Sequence, residues 1–217
     1  MKILYEDNQV IVAYKPKGVL SQPGEKELPD MYNLLKSYIK EKYNKPGEAF
    51  LGIVHRLDLN TDGIMVYAKN SKASKRLCEQ IKNNNFNKNY YAVVEGILTN
   101  DDYLMLNHKL AKDEKNKKAY VDSQGKEAIL YYKRVKNFKI KNQDVTLIEV
   151  KLETGRFHQI RCQMSSIGHP LFGDKKYGSK NEVEYDKFPL TAYKLSFVHP
   201  VSKEEMVFEM KEDELCY

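Results

Sequence analysis

The feature that most constrains this chain is the length of its apolar runs. Residues 10–14 and 64–68 are uncharged and strand-length, far short of a membrane span. Runs rich in β-branched and aromatic residues recur at 90–95, 128–135, 144–152, 192–198 and 205–210, the last two across a His199-Pro200-Val201-Ser202 turn. Helical spacing is confined to fewer stretches. From Asp30, a suitable N-cap, Met31, Leu34, Leu35, Tyr38 and Ile39 share a face and leave Lys36, Lys40 and Lys42 for solvent. Ser71 can cap a second helix carrying Ala73, Leu77, Cys78 and Ile81, and a third is expected from near Gly155. Strands outnumber helices and the two do not alternate regularly. That pattern predicts an α+β fold, a mixed and largely antiparallel β-sheet with flanking helices and a central cleft.

At 217 residues the chain is long enough for one sizeable core, so a single domain over 1–217 is expected. Hydrophobic residues at 41% and charged residues at 30% belong to a globular chain rather than a disordered one. Glu6 and Asp7 stand where a signal peptide needs its apolar stretch, which predicts a cytoplasmic protein. Cys78, Cys162 and Cys216 are odd in number, scattered and without a C-x-x-C pair, so reduced thiols are expected and no zinc knuckle. A formal charge of +6 suits a polyanionic partner without demanding one. No heptad pattern is present, and a monomer is the simplest expectation.

The densest chemistry is His55-Arg56-Leu57-Asp58-Leu59-Asn60-Thr61-Asp62-Gly63, on a loop before a strand. Arg56 beside Asp58 would keep the carboxylate ionised, Thr61 and Asp62 add side-chain acceptors, and Gly63 permits a tight turn. Taken alone, a polar turn with a local ion pair would look the same. On a helical wheel Phe157, Ile160, Met164 and Ile167 share one face, with His158, Arg161 and Ser165 beside it. The histidines at 55, 108, 158, 169 and 199 form no H-E-x-x-H or H-x-H, and neither a P-loop nor G-x-G-x-x-G occurs, so no metal and no nucleotide cofactor is expected.

Further elements accompany the loop: K-P-x-G at 15–18, K-x-Y-x-A-x-V-x-G at 88–96, L-x-T-G-R-x-H-Q-I-R at 152–161 (with Glu153 and Phe157 as the variable residues), G-H-P at 168–170, Gly173-Asp174, Tyr177-Gly178, and a closing strand with Leu190, Ala192, Leu195, Phe197, His199 and Pro200. Together with H-R-L-D-x-x-T-x-G they resemble the RluA-type pseudouridine synthases over nearly the whole chain. The resemblance implies an enzyme that isomerises uridine to pseudouridine in ribosomal or transfer RNA, without cofactor, in an RNA-binding cleft. It assigns Asp58 as the catalytic carboxylate, Tyr90 as the tyrosine that stacks on the uracil, and Arg161 as the partner of Asp58. Tyr91 competes with Tyr90, but strand alternation puts them on opposite faces and the spacing to Ala92 favours Tyr90.

Arg56 is implied to fill the place of the flipped base, Ile160 to form an apolar wall, and His55, Arg156 and His158 to lie on the RNA side. Lys115, Lys117 and Lys118, with the cations at 15–17, are candidate phosphate contacts. Asp62, Phe157 and Gln163 replace the commoner Ser, Thr and His, changes expected to touch RNA contacts if anything. The family core starts almost at Met1, so the small accessory RNA-binding domain of many members is expected to be missing. Two other readings compete: a catalytically silent RNA-binding or chaperone protein on the same fold, and a nucleoside-directed glycosidase using one Asp.

Overall fold

The computed structural model describes residues 1–24, 27–44 and 47–211, with only the backbone at Tyr185. It is an α+β fold whose described chain divides into two compact units, residues 1–87 with 192–211 and residues 88–191.

The first unit contains β1 (Ile3–Glu6), β2 (Val10–Lys15), α1 (Met31–Lys42), β3 (Gly52–Ile53), β4 (Asp62–Ala68) and α2 (Ser71–Lys82). The second contains most of β5 (Phe86–Glu95), then β6 (Leu104–Asp113), β7 (Lys118–Val121), β8 (Lys126–Ile140), β9 (Gln143–Leu152) and α3 (Gln159–Ser166). β10 (Leu190–Val198) and β11 (Glu205–Glu209) return the chain to the first unit.

In the first unit the strand order is β1-β2-β4-β10, with β11 on β10 and β3 on β4. β2 and β4 pair antiparallel, Val12 opposite Val66 and Ala13 opposite Met65. Every residue of β4 is buried. A strand covered on both faces has no solvent side to mark with polar residues, which is why both read as unbroken apolar runs. Met31, Leu35 and Ile39 of α1 and Ala73 and Leu77 of α2 are buried as the spacing predicts, but Leu34 is exposed. Asp30 caps α1 by accepting from the Asn33 N–H at 2.8 Å. The cap of α2 is Asn70 rather than Ser71, accepting from the Ala73 N–H at 2.8 Å. Asn and Ser compete closely as caps, and here the helix starts one residue earlier than Ser71 suggested. β10 and β11 form the expected terminal hairpin.

In the second unit the order is β5-β9-β8-β6-β7, all pairs antiparallel. β8 and β9 close as a hairpin between Ile140 and Gln143, with Lys141 and Asn142 at φ 48° and 65°. Two positive φ values make the two-residue turn whose twist suits a hairpin. The lysine-rich stretch 109–118 is part of the β6–β7 hairpin.

Val93, Val145, Leu147 and Phe172 form one core cluster here, with Tyr91 packed on it, and Leu110, Ala119, Ala128, Cys162 and Tyr177 form another. α3 begins at Gln159, four residues later than Gly155, because His158 adopts the left-handed conformation at φ 50° and ψ 30° and cannot continue a right-handed helix. Its first six residues, polar ones included, are all buried. The division into a packing face and a working face therefore does not hold for α3. Cys78 is exposed and Cys162 buried, both free thiols, while Cys216 lies outside the described residues. Among the described residues no helix is long and apolar enough to cross a membrane.

Candidate active site

Residues 54–61 connect β3 to β4 and carry Asp58. Ser21 fixes this connection at one point: its Oγ accepts from the Leu57 N–H at 3.0 Å and donates to the Leu57 carbonyl at 2.8 Å. The Tyr67 hydroxyl in turn donates to the Ser21 carbonyl at 2.9 Å. Leu57 is buried, and its neighbours take the opposite exposure, Arg56 in solvent and Asp58 half-buried. The Thr61 N–H donates to the Asp58 carbonyl at 3.1 Å and turns the chain into β4. A carboxylate on a clamped backbone is oriented before substrate arrives.

Lys15 is a fully buried cation of this region. Its Nζ donates to the carbonyls of Val19 at 2.7 Å, Pro16 at 3.0 Å and Leu59 at 3.4 Å. Burial pulls the ammonium down to about 8, with the carboxylates of Asp62 and Asp58 pushing it back up. Asp62 accepts from the Tyr14 hydroxyl at 2.6 Å and lies 3.9 Å from the Lys17 Nζ. The Thr61 hydroxyl is buried with no hydrogen-bond partner among the described residues.

Gly63 is not a turn glycine. It sits inside β4 at φ 130°, where a Cβ would lie 2.3 Å from the Ala192 carbonyl oxygen. His55 accepts from the Val66 N–H at 3.1 Å through Nε2 and sets its ring edge against Phe86, contacts with the sheet that an RNA-side role does not require.

In the second unit Tyr90 is buried, opposite Val150 in the β5–β9 ladder, and Tyr91 faces the core cluster. Lys88, two residues before Tyr90 and so on its face of the strand, has its ammonium pulled down by burial. Arg161 is 7% exposed. Its Nε and Nη2 donate to the two carboxylate oxygens of Asp174 at 2.6 and 2.8 Å, and its Nη1 lies 3.0 Å from His158 Nε2. The guanidinium also lies over the rings of Tyr177 and Phe188.

An arginine can only donate, so His158 Nε2 accepts and the ring proton sits on Nδ1, 2.9 Å from the Tyr177 hydroxyl. That hydroxyl accepts from the Ala119 N–H at 2.7 Å. Burial, then the cations of Arg161, Lys176 and Lys112, hold His158 down at about 3, so the imidazole is neutral. Asp174, Arg161, His158, Tyr177 and the β7 backbone thus form one continuous polar chain.

The sequence placed Arg156 and Ile160 in the site: Arg156 is exposed with its Nε on the Glu127 carbonyl at 2.7 Å, and Ile160 is buried in α3. Lys115 and Lys117 are exposed in the turn of the β6–β7 hairpin, and Lys118 starts β7 with its Nζ 5.2 Å from the Tyr177 ring centre. Sequence reasoning offered Lys15 as a phosphate contact, which its full burial on backbone carbonyls corrects, and gave no role to Asp174 or Tyr177. The signal was present in the K-P-x-G, G-D and Y-G elements, but nothing in their spacing says what those side chains touch. Among the described residues no three His, Cys, Asp or Glu side chains are grouped as a metal would need.

The comparisons agree with the motif reading. A family model described as RNA pseudouridylate synthase matches residues 9–166. An uncharacterized RNA pseudouridine synthase of Aquifex aeolicus (strain VF5) is 37% identical, covering 99% of this chain and 70% of the relative. The dual-specificity RNA pseudouridine synthase RluA of Haemophilus influenzae (strain ATCC 51907 / DSM 11121 / KW20 / Rd) is 34% identical over 98% of this chain and 94% of its own. Among solved structures, human RNA pseudouridylate synthase domain containing 1 superimposes with a TM-score of 0.74 at 23% identity, covering 99% of this chain and 84% of that one. At that identity the likeness is one of fold.

Proposed function

Because the chain belongs to the RNA pseudouridylate synthase family, in its RluA-type branch, and is therefore an RNA pseudouridine synthase, we propose that it acts in the cytoplasm as a monomeric single catalytic domain on uridines of ribosomal or transfer RNA, with Asp58 as the catalytic carboxylate. A relative named for the large ribosomal subunit supports ribosomal RNA, and one named for dual specificity supports more than one RNA target. The observation that carries the assignment of Asp58 is the clamped connection: Ser21 locks Leu57, the turn to Thr61 starts at Asp58, and a buried ammonium at Lys15 favours the ionised carboxylate.

Isomerisation breaks the glycosidic bond, turns the uracil and rejoins it through carbon 5. The enzyme must first extrude the uridine, at a cost of roughly a few kcal/mol in unstacking and unpairing. In our reading Arg56, exposed beside Asp58, occupies the vacated stack; Tyr90 stacks on the extruded uracil; and Arg161 steadies the reacting carboxylate. Asp58 attacks the ribose or takes its 2′ proton.

The experiment is deletion of the gene in its host, pseudouridine mapping across ribosomal and transfer RNA, and complementation with the wild type or Asp58→Asn. The wild type restores the missing pseudouridine and the variant binds RNA without restoring it. Restoration by Asp58→Asn would remove Asp58 from catalysis.

A further inference from the structure

Of the three positions where the chain departs from the commoner family residue, two are internal. Asp62 is buried on the Tyr14 hydroxyl, and Gln163 is buried with its amide on the Ala128 carbonyl at 3.0 Å and the Leu106 carbonyl at 3.3 Å. These hold strands and helix together and do not face RNA. Phe157 is different: it is 36% exposed.

Phe157 is also not a loose surface ring. It lies on His158 with ring centroids 3.8 Å apart and planes 18° apart. His158 is held at both nitrogens, by Arg161 and by the Tyr177 hydroxyl, and the Tyr177 ring meets it edge-on at 5.6 Å. The left-handed backbone of His158 is a strained conformation for a non-glycine residue, and it places the two rings in one stack at the start of α3. The stack is therefore ordered before any ligand arrives, which lowers the entropy cost of binding on it. Cations surround it: Lys112 Nζ lies 4.9 Å from the Phe157 centroid, Lys118 Nζ lies over Tyr177, and Arg156 is exposed next in sequence.

We propose that Phe157 is a stacking platform for an unpaired base of the RNA substrate other than the target uridine, with Lys112 taking the adjoining phosphate. The proposal rests on the chain being an RNA pseudouridine synthase and adds a contact to it. The occupant is single-stranded RNA because the patch offers a flat aromatic face set among ammonium and guanidinium groups, the pairing that a base and its phosphate satisfy together. Lys112 now sits over the ring and on Glu114 at 2.6 Å, both exposed contacts of small energy. A bound nucleotide puts its base over the ring and its phosphate on the ammonium.

The chain contains no tryptophan, so Phe157→Trp supplies a single fluorescent reporter at this site. The probes are a short single-stranded oligouridine and an abasic ribose-phosphate oligomer of the same length and charge. Oligouridine should quench the tryptophan and the abasic oligomer should not. Phe157→Leu, which keeps apolar bulk without a π-face, should lose roughly five- to a hundred-fold in affinity for oligouridine, with little change for the abasic oligomer.

Unchanged oligouridine affinity in Phe157→Leu, or binding to Phe157→Trp without quenching, overturns the platform. Pseudouridine formation by wild type and Asp58→Asn is measured alongside. Loss of turnover in Asp58→Asn with no effect at Phe157 leaves the catalytic reading standing and removes the platform alone. Full turnover in Asp58→Asn with quenching at position 157 does the reverse.

Discussion

Arg161 meets Asp174 through two parallel hydrogen bonds, 2.6 and 2.8 Å long, with both side chains buried. A paired fork of this kind holds the guanidinium in one orientation and leaves Nη1 to fix His158. Asp174→Asn keeps the shape and removes the charge that faces a buried guanidinium. The expected loss is about 3–5 kcal/mol of stability, read from urea unfolding. A loss under about 1 kcal/mol would mean that the guanidinium finds a second anion.

His158 sets an acid dependence. Its folded value of about 3 lies below the ordinary 6.5, so the unfolded chain takes up the proton first. The ring's contribution is complete above about pH 6.5 and is lost as the pH falls towards 3. His158→Asn removes the titrating ring and still accommodates left-handed backbone. The wild-type advantage in unfolding free energy over this variant should shrink steadily between those limits, by on the order of 3–5 kcal/mol. Parallel curves would remove His158 as the titrating group.

Lys15→Met should destabilise the first unit by about 2–4 kcal/mol. It withdraws the donor from the carbonyls of Pro16, Val19 and Leu59 and leaves Asp58 and Asp62 without that cation. Turnover should fall at saturating RNA, because the clamp orients the carboxylate rather than binding substrate. A change in KM alone would place Lys15 on the RNA side instead.

Gly63→Ala forces a Cβ against the Ala192 carbonyl, a backbone atom that cannot rotate away, at a φ that side chains avoid. The expected cost is about 3 kcal/mol or more, seen as a drop in Tm or in soluble yield. A variant within about 1 kcal/mol of wild type would show that β10 can yield.

The hairpin lysines test the electrostatic part of binding. Replacing Lys115, Lys117 and Lys118 with Gln should weaken RNA binding and lower the slope of log affinity against log salt by about 2, if each neutralises one phosphate of a single strand. Lys118 lies over Tyr177, so its single replacement should matter least. An unchanged slope would take the hairpin out of the interface.

Much of this was readable before the structure. Unbroken apolar runs at β2 and β4 announced strands covered on both faces, because burial on both sides leaves no polar alternation. Asp30 announced α1 because a cap acts within one turn of chain. Position 155 misled, since the left-handed conformation of His158 that delays α3 goes with ring contacts that include Tyr177, 19 residues away in sequence. Leu34 misled because helical spacing names a stripe, not its width.

By itself the sequence determined most of the strand and helix content, the loop that carries Asp58 and the family motif on that loop, all of which rest on neighbours along the chain. Only the tertiary structure decided that Arg161 is seated on Asp174, that Lys15 is buried on the carbonyls of Pro16, Val19 and Leu59, that Gln163 is internal and that Phe157 is not. The physical reason is common to all four. Burial and ion pairing are set by side chains far apart in sequence, and a local pattern carries no record of the distance between them.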